Sequence, residues 1–341
     1  MSNHGLRDVG LEITTGCNLR CAHCWQGDKH CTQMLSLCEI KTAIGKLSEM
    51  GATTVRITGG EPMTHPDFWE IMKEASQKGF SIVLRTNGTK IDETAAKRMS
   101  DLPILFVEVS IDGHVPEIHD LFRHGRGSLQ KSFSALRFLL EQKVPLRIKT
   151  AINKNNVGSL LDIGQLLAEK YSGIDMWSLV DLVPVGYTEQ QIRDLMPDPH
   201  SVVASMQLLD DWINSRKVPF RVVGSALQLI ADPQEAIRQN RELKSPCGYR
   251  NGYLYICADG SVKTCAWLGC TLGNVSAGLE NLWNSGLAEQ EHATPAECLE
   301  CRYFRLGICG YLYYVCPGIR CFQEGKEFLR LVAESLKIDS G

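Results

Sequence analysis

The sequence predicts an α/β fold, a parallel sheet wound from six βα units, followed by a small cysteine-rich domain. Two patterns predict it. In the first half of the chain, strand-like runs rich in Val, Ile and Thr alternate with amphipathic segments of helical length. In the last third, nine cysteines fall between Cys247 and Cys321, separated by Gly-rich and polar turns.

The strands read in order as residues 9–16, 54–60, 81–88, 104–113, 146–153 and 176–184, most of them closing on turn residues. Helices are expected near 36–50, 67–79, 91–100, 129–142 and 157–171, several opening on Ser, Asp or Asn caps. Such alternation makes the sheet parallel and places ligands at the C-terminal ends of its strands. Past about residue 195 the pattern changes. The expected organisation is a βα domain over 1–195, a helical linker over 196–245, a cysteine-rich domain over 246–330 and a tail over 331–341.

Composition narrows the function class. The 341 residues carry a net charge of -3 with Lys and Arg scattered, which argues against nucleic acid, because phosphate neutralisation needs a basic face. No run of 18 apolar residues marks a membrane span, and the N-terminus lacks a secretory signal. A cytoplasmic, reduced protein is therefore expected. Its 14 cysteines are read as thiols and metal ligands, not as a disulfide framework.

The chemistry concentrates in the run TTGCNLRCAHCW, just past the first strand, where Cys17, Cys21 and Cys24 stand in a Cys-x3-Cys-x2-Cys spacing. Three thiolates on an iron–sulfur cube leave one iron open to a further ligand. Zinc would want a fourth ligand close by, and His23 lies inside the run where it cannot easily join the same tetrahedron. The alternatives at this point are zinc or buried free thiols.

This spacing resembles the signature of the radical S-adenosylmethionine (radical SAM) superfamily, and six βα units resemble its partial (β/α)6 TIM-like barrel. The resemblance implies that the open iron chelates SAM and that an electron cleaves SAM to a 5′-deoxyadenosyl radical. Further motifs close the later strands. Gly59, Gly60 and Glu61 end the second strand in a GGEP turn, which in the family meets the methionine amino group. Ser110 and Asp112 belong to the SIDG turn after the fourth strand, with Ser110 resembling a hydroxyl contact to SAM. Arg123 offers a guanidinium fork suited to the SAM carboxylate. Lys149 and residues 183–186 are expected near the ribose and adenine, and His23 at the position where the family places a ring against adenine.

The C-terminal cysteines resemble the SPASM extension, which carries two auxiliary [4Fe–4S] clusters and brings the expected total to three. By this analogy Cys247, Cys265 and Cys316 hold the inner cluster with Cys257 or Cys270 as fourth ligand, and Cys298, Cys301, Cys309 and Cys321 hold the outer one. The spacings depart from that pattern, with seven residues between Cys301 and Cys309 and six between Cys309 and Cys316. A zinc knuckle at Cys298 and Cys301 is the alternative. The spare thiol of Cys257 and Cys270 is a candidate hydrogen-atom donor. Cys31 and Cys38 read as packing residues.

The resemblance implies a radical SAM oxidoreductase that takes electrons from a donor such as flavodoxin or ferredoxin. Sulfatase-maturing members carry an Asp after the cysteine equivalent to Cys265; here that residue is Ala266, which disfavours formylglycine formation. Oxidative modification of a ribosomally made peptide, by dehydrogenation or crosslinking, is the expected activity. With only about eight residues before the first strand, the peptide is expected to bind directly or through a separate partner. An amino sugar or aminoglycoside-type small molecule, dehydrogenated or epimerised, is the alternative substrate class. An iron–sulfur electron carrier is a third reading, which the GGEP and SIDG motifs argue against, because a carrier has no need of a SAM cradle.

Overall fold

The computed structural model describes residues 5–24, 26, 32–182, 191, 194–232, 234–236, 238, 252–266, 271–285, 330–331 and 333–334. Six strands fall where the sequence places them: β1 (Asp8–Glu12), β2 (Thr54–Thr58), β3 (Ser81–Thr86), β4 (Ile104–Ser110), β5 (Leu146–Ala151) and β6 (Ile174–Val180). Each stops two to four residues short of the expected end, because the terminal residues turn away from the ladder to form the rim loops. The intervening helices are α1 (Leu37–Glu49), α2 (Phe68–Gln77), α3 (Glu93–Ser100), α4 (Pro116–Arg123), α5 (Ser128–Glu141) and α6 (Leu160–Lys170).

Local chemistry sets the helix starts. Ser36 and Glu39 form a reciprocal capping box on α1, and the Asp92 side chain accepts from Ala95 N at 2.7 Å to open α3. α4 escaped the sequence reading. It is eight residues long, has no side-chain cap and starts on Pro116, whose missing N–H costs nothing in the first turn. Cys38, expected to pack, is exposed on α1.

The sheet extends beyond the six strands on both sides. β7 (Arg221–Val223), inside the stretch read as a helical linker, pairs parallel with β6. Around it lie α7 (Pro199–Ser215) and α8 (Ser225–Ala231). On the other edge, β8 (Tyr253–Ile256) pairs parallel with β1, and β9 (Ser261–Lys263) and β10 (Thr271–Asn274) follow antiparallel, ahead of a short α9 (Leu279–Trp283). The order is β10-β9-β8-β1-β2-β3-β4-β5-β6-β7. The start of the cysteine-rich segment is thus built into the same sheet as the βα units.

Alternation along each strand separates two environments. Leu11, Ile57, Leu84, Val109, Ile148 and Trp177 belong to the buried apolar core, each worth about 1.5–3 kcal/mol when fully removed from water. The alternate positions on β2 to β5, including Thr58, Arg85, Glu108, Ser110 and Lys149, line a cavity instead. Polar residues in the middle of parallel strands are unusual, since sheets covered on both faces are near-continuously apolar. Here they mark an inner face that encloses solvent or a ligand.

Gly10 makes room for part of that interior. A Cβ there would lie 2.3 Å from both Tyr253 Oη and Tyr255 Cδ2, so the two β8 rings pass directly over the β1 backbone. Gly10→Ala is expected to cost about 1–3 kcal/mol through overpacking, read as a lower thermal midpoint. An unchanged midpoint would mean that the rings move aside freely.

Candidate active site

The loop after β1 that carries the three cysteines is held from beneath by the loop after β2. Gly60 N donates to Thr14 O at 2.7 Å, Glu61 N to Gly16 O at 2.8 Å, and Thr64 Oγ1 to Gly16 O at 3.2 Å. The fit is too close for side chains. A Cβ on Gly59 would stand 2.3 Å from Thr14 O, and one on Gly60 2.3 Å from Gly16 O. The glycines expected to let a ligand approach therefore serve first to let two loops of the protein approach each other. Both also line the cavity.

Glu61 makes its contacts within the protein. It is fully buried, does not line the cavity, and accepts from Thr86 Oγ1 at 2.8 and 2.9 Å, Asn87 N at 2.8 Å and Met63 N at 3.2 Å. Burial pushes its carboxyl above the usual range, with these bonds opposing. It pins the β3 rim loop to the β2 rim loop. Asn87, fixed this way, reaches Asn18 Oδ1 at 3.0 Å and Cys17 Sγ at 4.0 Å.

Asp112 and Arg123 form the second support. Arg123 Nε and Nη2 both meet Asp112 Oδ2 at 2.5 Å, and Asp112 Oδ1 accepts from Ala151 N at 2.7 Å. Asp112, expected at the cofactor, sits buried behind Arg123 and outside the cavity lining. The guanidinium fork is engaged by this carboxylate, and the remaining Nη1 points to Cys21 Sγ at 3.8 Å. Arg123 itself does line the cavity. His119 completes the support: its Nδ1 accepts from Asp112 N at 3.0 Å.

Cys17, Cys21 and Cys24 open on one cavity of about 240 Å³ together with His23, Ser110 and Lys149. Burial raises all three thiols, Cys17 to about 11, so the free protein holds them protonated and cluster binding must release those protons. The donor set fits a [4Fe–4S] cluster: three sulfurs at one end of the barrel, with Arg123 beside one of them to offset negative charge. Among the described residues no group of three or more His, Cys, Asp or Glu side chains is placed to hold a single metal ion. His23 stacks on Phe122 at 4.4 Å with rings 4° apart, and burial lowers its pKa to about 3, so the imidazole is neutral.

Of the C-terminal cysteines, Cys257 and Cys265 lie within the described residues; Cys247, Cys270, Cys298, Cys301, Cys309, Cys316 and Cys321 lie outside them, as do Cys31 and residues 183–186. Cys257 directly follows β8, is buried, and lies outside the cavity lining, with its thiol pushed up to about 11 by burial. Ala266 lines the cavity. Sequence reasoning missed Arg85 and Glu108. Their signal was charge in the middle of strands that a parallel sheet otherwise makes apolar.

Residues 11–162 match the radical SAM superfamily. Over nearly the whole chain the protein is 24% identical to an AdoMet-dependent heme synthase of Methanosarcina barkeri, covering 92% of this chain and 91% of that one. It is 28% identical to the mycofactocin maturase MftC of Mycobacterium tuberculosis, covering 90% and 76%. In fold it is similar to Streptococcus suis SuiB bound to S-adenosylmethionine, with a TM-score of 0.72 and 15% identity over 90% of this chain and 72% of that one. It is also similar to native anSMEcpe with bound AdoMet, with a TM-score of 0.71 and 20% identity over 97% and 98%. Residues 11–162 thus carry a radical SAM domain, and the mixed α/β architecture with its parallel sheet is similar to the TIM-like barrel of these neighbours. The family binds SAM and a [4Fe–4S] cluster. Among the described residues no helix is long and apolar enough to cross a membrane.

Two consequences follow for stability. Asp112→Ala leaves Arg123 buried without its counter-ion and is expected to cost about 3–5 kcal/mol, seen as loss of folded protein on mild heating. His119 has a pKa lowered to about 4, chiefly by burial. An unfolded imidazole gains its proton below about 6.5, so the contribution of this group is complete above that pH and is lost as pH falls toward 4. His119→Gln should therefore flatten the fall in thermal midpoint between pH about 7 and about 5. Parallel curves for the two proteins would contradict the assignment.

Proposed function

We propose that the protein abstracts a hydrogen atom from a ribosomally made peptide and oxidises it, by dehydrogenation or crosslinking. The observation that carries this reading is a shared chamber: the three-thiol loop, the Gly59–Gly60 turn, Ser110 and Arg123 open on the same space as the interior side chains of β3, β4 and β5. When bound, SAM and the cluster supply a 5′-deoxyadenosyl radical. The chain's own contribution is placement. Gly59 and Gly60 lock the cysteine loop at the barrel rim, Asp112 holds Arg123 against Cys21, and Ser110 presents a hydroxyl to the cavity. Neutral His23, stacked on Phe122, adds a flat apolar wall without charge.

The likeness to a maturase named for mycofactocin supports a peptide substrate. Ala266, which lines the cavity at the position where the sulfatase-maturing pattern has an Asp, supports oxidation without the formylglycine outcome. The likeness to enzymes named heme synthases favours a second reading, a haem-type macrocycle as substrate. In both readings the cysteine-rich segment holds two auxiliary clusters, through the ligands assigned above, that carry the substrate electron away. An external flavodoxin or ferredoxin supplies the electron that starts turnover.

Anaerobic reconstitution is expected to give about twelve irons per chain, and replacing Cys17, Cys21 and Cys24 together by Ala should remove about four and abolish 5′-deoxyadenosine release. A wild-type count near four would contradict the auxiliary clusters. With candidate peptides in D2O, oxidation gives a product lighter by two hydrogens. A product that instead retains one solvent deuterium at carbon, and is lost on replacing Cys257 or Cys270 with clusters intact, would establish hydrogen-atom return and epimerisation.

A further inference from the structure

Strands β2, β3 and β5 carry Arg56, Arg85, Arg147 and Lys149, Arg123 closes α4, and among the described residues four carboxylates lie in ion-pair range of these five, while Asp181 also lines the cavity. Arg56 has Asp8, whose two oxygens it reaches at 2.8 Å through Nε. Arg147 has Asp175 at 2.7 Å and lies over the Phe106 ring, and Arg123 has Asp112. Arg85 and Lys149 have one carboxylate between them. Glu108 Oε1 lies 3.3 Å from Arg85 Nε and 3.8 Å from Lys149 Nζ.

The sharing is geometrically poor as well as short of charge. Arg85 Nε is buried and makes no hydrogen bond, because Glu108 lies off its N–H direction. Glu108 at 3.8 Å from Nζ is beyond hydrogen-bond reach of Lys149. Both cationic side chains are nevertheless open to the cavity, at 34% and 30% of their full exposure, and both line it beside the cysteine loop. Tyr253 and Tyr255 press on the same region from β8, and the field of Arg85 reaches both phenols.

A guanidinium whose buried Nε has no acceptor and an ammonium without a close partner are costly to keep unless something anionic completes them. We propose that Arg85 and Lys149 form a carboxylate-binding site in the barrel cavity that anchors the substrate beside the cysteine loop. The planar fork of Arg85 suits two carboxylate oxygens, with Lys149 as a point charge alongside. Lys149, expected from sequence at the cofactor ribose or adenine, belongs to this pair. The substrate class is a molecule bearing a free carboxylate, which on the peptide reading above is a C-terminus or an Asp or Glu side chain.

The test uses SAM-loaded, cluster-reconstituted enzyme and fluorine NMR of 4-fluorobenzoate against 4-fluorobenzamide, which differ only in the anionic group. The benzoate is expected to bind at least about tenfold more tightly than the amide, and Arg85→Gln or Lys149→Gln should each erase most of that difference. Arg85→Lys should restore part of it. SAM affinity, measured separately, should stay within about twofold in both Gln variants, because the site serves the substrate and not the cofactor carboxylate. Equal binding of the two probes would overturn the proposal, and so would a loss of SAM affinity that accompanies unchanged benzoate binding. Iron content and far-UV circular dichroism identify a variant that misfolds, and the second single variant then carries the test. A tetrapeptide pool with free or amidated C-termini, captured on the same enzyme and read by mass spectrometry, forms a separate arm. Retention of the benzoate with no peptide captured would leave the carboxylate site standing and remove the peptide reading.

Discussion

Everything at the active end of this molecule depends on a seam between two rim loops. The backbone after β2 lies so close to the backbone after β1 that neither Gly59 nor Gly60 has room for a Cβ, and hydrogen bonds from Gly60 N and Glu61 N close the gap. Through that seam the cysteine loop inherits the rigidity of the sheet. Glu61 carries the constraint on to β3 by holding Thr86 and Asn87, and Asn87 returns it to Asn18 and Cys17. The three sulfurs are placed by a closed ring of loop-to-loop contacts, as a site meant to hold a cluster in one orientation requires.

A second constraint is the two-sided character of the strands. The outer face of the sheet is an ordinary apolar core against the helices. The inner face carries Arg85, Glu108 and Lys149 around a cavity that Arg123 of α4 also lines. Ion pairs inside a barrel contribute little net stability, because desolvation offsets most of their attraction. Their use is positional. Asp112 fixes Arg123 against Cys21, and the shared Glu108 leaves Arg85 and Lys149 turned toward whatever enters.

Much of this was legible in the chain. Runs rich in Val, Ile and Thr closing on turn residues located all six strands of the βα units, and the cysteine spacing pointed to a loop that opens on the cavity. What escaped has physical reasons. α4 has eight residues and no side-chain cap to announce it, and β7 to β10 are three or four residues each, stabilised by partners distant in sequence. The internal contacts of Glu61 and Asp112 were hidden for a related reason. A motif records which residues stand together, whereas the direction of each side chain is fixed by the neighbouring strand. Glu61 faces Thr86 and Asn87, and Asp112 faces Arg123 and Ala151, so both act on the protein and leave the cavity wall to their neighbours.

The most direct measurement of the account is the electron paramagnetic resonance spectrum of the reduced, reconstituted enzyme with and without SAM, recorded for the wild type and for Gly60→Ala. The wild type should show a cluster signal that changes on adding SAM. Gly60→Ala should lose that response and about four irons per chain, while far-UV circular dichroism shows the sheet and helices retained. A Gly60→Ala protein with full iron and an unaltered SAM-dependent signal would contradict the claim that the seam between the two loops positions the cluster.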